Sequence, residues 1–442
     1  MRFILLLVTL VSCAQLSAQS FSDSKYMDIG TEEPRTQSVI GDKEDSDNQS
    51  SKFVINIEEW SISADKKSFE SKFSRPFSWI GRQFYLRVGS ASAPYTLYIN
   101  NKEVAKVQNS SSPAEFNITK IANEGRNTVV IKIDEESNVS SIEGWKMGDL
   151  EPAIGDVCVV SQPTQMIRDL RIETSVMGEK LHSQIYLIIK SHALSERTST
   201  VHYSLRHQDG EMVSFGKRDI TQSMRGEDTL TFSTAIPIGD GWSGDNPQLF
   251  DLKLSIQREG RYLEYQNYKV GFRSVEVDPS NGKLTINGEQ ISLNAKRVGV
   301  AESVDFDESQ LEELKAQGFN AIKIEGGAPS LDLYSACDKV GIYVVASAPI
   351  NSGASSSLIT KGGNPTNDPT WWGAYMQRID ASYHVAQLHP SVVAFSVADN
   401  SLNGYNLYEG YLRLKQKSIT LPVVYFEAEG EWNNDKLDIT LK

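Results

Sequence analysis

The chain changes texture once, near Arg273, and that change restricts its fold more than any other feature. Before it, short runs of strand-forming residues follow one another, with turn residues between them and no strong helical period. Phe84–Val88, Tyr95–Ile99, Glu103–Val107 and Asn127–Ile133 read as strands, with Asn100-Asn101 as a hairpin turn. Gln184–Ile189, Thr200–Leu205 and Phe250–Ile256 are the clearest strands of a second block, from about Thr164 to Arg273. A block of roughly 110 residues built this way suits an immunoglobulin-like sandwich. After Arg273 the pattern alternates. Asn287-Gly288 marks a hairpin, and Asp307 caps a helix that Gly318 stops. Strand-length runs near Ile322, Val344, Val393 and Val424 then alternate with helices over Leu331–Val340, Trp371–Gln387 and Leu407–Lys417. Alternation of this kind predicts a parallel sheet covered by helices.

The first 52 residues belong to neither texture. Arg2 and the apolar run Phe3–Val11, too short to span a bilayer, read as an export signal over residues 1–19. Ser17-Ala18 suits an ordinary signal peptidase, and Leu10-Val11-Ser12-Cys13 suits a lipoprotein box that would anchor the chain through Cys13. Either reading places the protein outside the cytoplasm, in the periplasm or at the cell surface. No later run is long enough for a membrane span. Residues 20–52 hold eight acids against four bases and few apolar groups, which predicts a flexible acidic linker. The net charge of −13 argues against nucleic acid as a partner. Cys158 and Cys337 fall in different predicted domains, which favours two thiols over a disulfide. No metal-ligand spacing, phosphate loop or dinucleotide pattern is present, so no cofactor or metal is expected.

Several stretches, in order, resemble glycoside hydrolase family 2, the family of β-galactosidases and β-glucuronidases. Tyr95–Lys102, Phe116–Thr119, Gly125–Asn127, Trp145 and Ile154–Val157 resemble its sugar-binding jelly roll. Trp242, Asn246–Phe250 and Val270–Arg273 resemble its immunoglobulin-like domain. Cys337-Asp338, Gly341–Val344 and His389–Val392 resemble the start of its catalytic (β/α)8 barrel. The resemblance implies a multidomain β plus α/β chain: jelly roll 53–163, immunoglobulin-like sandwich 164–273 and part of a TIM-type barrel 274–442. A whole barrel takes around 250 residues, and far fewer follow Arg273. Five strands, with a sixth over Leu437–Leu441, would leave an incomplete barrel with no strand for the family's nucleophile.

The resemblance also locates the site chemistry. A retaining glycosidase needs two carboxyl groups about 5–5.5 Å apart. The family's acid/base Glu follows an Asn at the end of barrel strand four; in the matching run, Ser396–Ser401, Asn400 stands at the Glu. An amide has no proton to exchange near neutral pH. Asp399 precedes it, and strand alternation turns that side chain to the opposite face. Lys323 stands at a family Arg, Gly326-Gly327 at a His, Ala346-Ser347 at an Asp-Glu pair, and Arg297–Gly299 at an Asn-Arg-His run. These replacements predict a protein without hydrolytic activity that binds carbohydrate or serves as a scaffold. A residual or altered glycosidase and a protein-interaction role are the alternatives. Glu427, Glu429 and Glu431 share one face by period two; with Trp371, Trp372 and Trp432 they are candidate sugar contacts. A solvated loop, for the acids, and core or helix-start packing, for the tryptophans, are the competing readings. The expected partners are a glycan, and a protein or a second copy pairing at open barrel edges.

Overall fold

The computed structural model describes residues 27–32, 35, 38–46, 50–134, 140–144, 152–299, 306–326, 331–353, 364–417, 421–426 and 434–442. Two β-sandwiches precede a half-barrel. In the first, a five-stranded sheet that includes Ser68–Arg75, Gly125–Ile133 and Tyr95–Ile99 faces a four-stranded sheet with Val157–Gln162 at its centre. Trp79, Leu86, Leu97, Phe116 and Ile131 fill the space between them. Asn100 and Asn101 have φ of 52° and 64°, the left-handed pair that a tight hairpin requires.

The second sandwich sets the three strands Gln165–Met177, Lys180–Ser191 and Glu227–Pro237 against a five-stranded sheet. Strict alternation makes this possible: along Lys180–Ser191 every second residue is buried. Its core holds Ile185, Leu187, Leu205, Phe250 and Ile256.

The segment expected to be a flexible linker is ordered wherever it is described. Val39–Gly41 forms the edge strand of the second sandwich's five-stranded sheet, antiparallel to Tyr265–Asn267. Ile29 and Glu32 bridge to Lys106 and Glu115 of the first sandwich. Asp28 Oδ1 accepts from the amides of Gln108 and Asn109 at 2.6 and 3.0 Å. Composition misled because it counts only the apolar surface a segment can bury. This segment is held by backbone pairing to existing sheet edges and by buried ion pairs.

The half-barrel begins with the hairpin at Asn287-Gly288, whose φ values are 53° and 86°. Five parallel strands follow: Leu293–Gly299, Ala321–Glu325, Tyr343–Ser347, Val392–Ser396 and Val423–Val424, in that spatial order. Helices Glu308–Ala316, Leu331–Val340, Trp372–Ala386 and Tyr405–Lys417 connect them. The first of these carries the predicted cap, a capping box between Asp307 and Gln310. The core between sheet and helices contains Ile322, Ile324, Val344, Phe395, Tyr375 and Ile379.

Trp242 joins the second sandwich to the half-barrel. It is fully buried, and its Nε1 donates to the Asp338 carbonyl at 2.8 Å. Gly341 ends its helix at φ +78°, and a methyl group there would collide with the Gly244 carbonyl oxygen of the second sandwich. Gly341→Ala should therefore cost more than the roughly 1–2 kcal/mol of left-handed strain alone. Chemical denaturation against wild type checks this; a loss well under 1 kcal/mol would contradict the close approach.

The sixth strand does not extend the barrel past strand five. Ile439–Leu441 pairs in parallel with the first barrel strand, Leu293 opposite Ile439 and Ala295 opposite Leu441. The far edge is covered too: the Asp435 amide donates to the Val423 carbonyl, and Asp435 Oδ2 accepts from the Val423 amide. The Asn434 side chain does the same for Tyr425, accepting at 3.2 Å and donating at 3.4 Å. The open edges expected from the sequence are thus occupied by residues 434–442. A period count along the chain could not show this, because it ignores which edge a strand reaches.

Candidate functional site at the mouth of the half-barrel

Ligand sites of α/β barrels lie where the strands end, on the C-terminal side. Lys323 and Glu325 stand two apart on the second strand and so share a face. Ser347 ends the third strand, and Asp399 follows the fourth. Lys323 is 1% exposed and Asp399 6%. Lys323 Nζ lies 2.5 Å from Asp399 Oδ1. Asp399 Oδ2 accepts from the Ser347 hydroxyl at 2.7 Å and from the Gly326 amide at 3.0 Å. Lys323 Nζ also reaches Glu325 Oε1 at 3.4 Å, and Arg297 Nη1 donates to the same oxygen at 2.8 Å. The Phe426 ring lies beneath the ammonium, 5.6 Å from it.

This arrangement corrects the expected orientation of Asp399. Strand alternation turned it away, but the strand ends at Ser396. From Val397 the chain bends, the Asp399 amide donates to the Ile350 carbonyl, and Asn400 takes φ +38°. Period two does not apply outside the pleat, so Asp399 swings into the mouth. Asn400 is exposed, with its amide 3.3 Å from Asn351 Oδ1.

Chemically, the cluster is a closed polar network. A carboxylate offers about four lone-pair positions. Three donors already occupy Asp399. A general acid needs its proton directed at the leaving oxygen. The remaining carboxylate of the described mouth cluster, Glu325, is engaged by Arg297 and Lys323 together.

The other sequence candidates fall elsewhere. Trp371 is buried in the core between helices and sheet, and Trp372 packs against that core. Glu427, Glu429, Glu431, Trp432, Trp145 and Gly327 lie outside the described residues, as do Cys13 and the whole of residues 1–19. Cys158 and Cys337 are both free thiols. His389 Nδ1 lies 2.6 Å from Asp338 Oδ2, which orders the turn into strand four. Sequence reasoning singled out Lys323, Ser347 and Arg297 as substituted positions but missed Glu325. The available signal was the Lys323-x-Glu325 spacing on one strand.

Comparison with known proteins decides the family. Residues 23–163 match the profile of the "Glycosyl hydrolases family 2, sugar binding domain", 165–273 that of "Glycosyl hydrolases family 2", and 279–441 that of the family's TIM barrel domain. The chain belongs to glycoside hydrolase family 2. Among curated relatives, the β-galactosidase of Psychromonas ingrahamii is 27% identical over 377 residues, covering 81% of this chain and 35% of the relative. That of Priestia megaterium is 25% identical over 372 residues, covering 80% and 35%. The chain thus spans about a third of the length of these relatives. Among solved structures, Bacteroides uniformis β-glucuronidase 2, covalently bound to cyclophellitol-6-carboxylate aziridine, superposes with a TM-score of 0.67 at 18% identity, over 81% of this chain and 46% of that one. A family 2 member from Bacteroides cellulosilyticus gives 0.68 at 14%, over 92% and 57%. These likenesses establish the fold: sugar-binding sandwich, immunoglobulin-like sandwich and part of a TIM barrel. No helix among the described residues is long and apolar enough to cross a membrane.

Proposed function

We propose that this family 2 chain is an exported glycan-binding protein whose half-barrel mouth does not hydrolyse glycosides. The observation that carries the reading is the state of the strand-four end. The position resembling the family's acid/base holds the amide of Asn400. The neighbouring carboxylate, Asp399, is engaged by Lys323, Ser347 and the Gly326 amide. The match of residues 23–163 to a sugar-binding domain supports a carbohydrate as the ligand class, and the signal-like residues 1–19 support export.

An altered glycosidase is the second reading, favoured by two carboxylates, Asp399 and Glu325, meeting at one ammonium. Nitrophenyl β-galactoside and β-glucuronide separate the two. The expected result is release no faster than in buffer, with heat of binding in titrations against a panel of oligosaccharides. Turnover that disappears in Asp399→Ala would sink the non-catalytic reading. Absence of heat with every glycan would sink the binding role.

A further inference from the structure

Residues 434–442 run across the inner face of the half-barrel in alternation. Asp435, Leu437, Ile439 and Leu441 are half-buried, while the residues between them are exposed. Leu437 and Ile439 pack against the inward residues Val345, Ala394 and Val424. Leu437, Ile439 and Leu441 also contact the cluster of Leu293, Ala295, Ala321 and Tyr343. Backbone bonds continue the pairing, from the Lys442 amide to the Ala295 carbonyl and from the Arg297 amide to the Lys442 carbonyl, both at 3.0 Å. The Asp438 amide donates to the Gly282 carbonyl at 2.8 Å. Gly282 has φ +78°, and a Cβ there would approach the Asp438 nitrogen to 2.9 Å, so its lack of a side chain admits the segment.

In a closed barrel the first strand pairs with the last. Here the first strand's edge and the apolar inner face form a strand-binding groove, and a segment held by few pairs fills it. A groove that accepts an extended segment through main-chain bonds and alternate side-chain pockets has the physics of strand addition. When such a segment is exchanged between identical chains, it makes the same contacts in the partner.

We propose that the edge of Leu293–Gly299, together with the inner face around Val345, Ala394 and Val424, is a strand-binding interaction surface, closed in cis by residues 434–442 and able to take the same segment from a second copy. This surface is distinct from the mouth cluster of Lys323 and Asp399.

The test uses the full chain carrying Leu437→Asp and Ile439→Asp, whose own segment no longer suits the groove. A synthetic peptide of residues 434–442 is then added, and hydrogen exchange is followed at the Arg297 amide. The double variant should exchange faster there than wild type, and the peptide should restore protection. The same peptide carrying both Asp substitutions should restore none, and wild type should bind neither peptide. Amides of the second sandwich, such as Ile256, report whether the variant is folded. Should it not fold, the milder Leu437→Ala/Ile439→Ala chain replaces it with the same expected outcomes. Unchanged protection of Arg297 in a folded variant, or no protection by the wild-type peptide, overturns the proposal.

Discussion

Lys323→Met will lower the stability of the half-barrel by about 3–5 kcal/mol, the cost of leaving a buried charge without its partner. The Lys323 and Asp399 side chains are 1% and 6% exposed. Asp399 would keep the Ser347 hydroxyl and the Gly326 amide, but no cation within the buried contact. Glu325 would lose one of its two cationic contacts and keep Arg297. The companion variant Lys323→Met/Asp399→Leu should recover a large part of the loss, because removing both members of a buried pair is often close to neutral. The domains need not unfold together. The measurement is therefore hydrogen exchange at barrel amides such as Val345, with urea denaturation alongside. If the single variant loses less than 1 kcal/mol, or the double variant loses more than the single, the pair is not the buried lock described above.

Glu115→Gln is the second large effect. Glu115 is 1% exposed in the first sandwich and accepts from Arg35 of the amino-terminal segment at 2.9 Å and from Arg168 of the second sandwich at 2.7 Å. Arg87 lies 3.9 Å away. Both Arg35 and Arg168 also lie over the Tyr85 ring, at 5.4 and 5.0 Å. One carboxylate thus ties three parts of the chain together. Its loss removes the carboxylate shared by two nearly buried guanidinium groups, of which Arg168 keeps Glu32 at 4.0 Å, an expected cost of about 3–5 kcal/mol, with faster exchange over residues 38–41.

The pH dependence has a definite sign. Burial alone would raise the Glu115 pKa, but Arg35, Arg168 and Arg87 override it and hold the carboxyl well below its ordinary 4.5. A group depressed on folding stabilises above its unfolded value, and that contribution is lost as the pH falls below it. The gap in stability between wild type and Glu115→Gln should therefore be full at neutral pH and shrink below about pH 4.5. Glu264 works in the opposite sense. Its burial, against Arg82, raises its pKa, so its contribution is greatest below its ordinary value and declines as the pH rises. Comparing the two chains at each pH isolates Glu115, since Glu264 is common to both. A gap that widens on acidification would contradict the assignment.

Much of this fold could be read in one dimension. The strand run Gln184–Ile189, Asn-Gly at 287–288 and the Asp307 cap are local signals, set by strand-forming side chains, left-handed turns and orphan helix amides. Each reappears in the structure where the sequence puts it. The signals that failed were those that depend on a partner. Residues 20–52 look unable to order themselves, and alone they lack the apolar surface; where they are described, Arg35 is held by Glu115 and Val39–Gly41 by pairing with Tyr265–Asn267. Alternation turns Asp399 away only while the pleat lasts, and the strand ends at Ser396. Leu437–Leu441 looked like the next strand in line, but its place depends on which sheet edge lies within reach.

Residue order alone is enough for the succession of two sandwiches and a strand–helix domain, because hydrophobic period and turn chemistry are written residue by residue. It also shows the amide at position 400. That Asp399 and Lys323 lock together, and that residues 434–442 close the half-barrel, is visible only in three dimensions. Both depend on residues far apart in the chain, 76 positions in the case of Lys323 and Asp399, and no local pattern encodes which distant groups will meet.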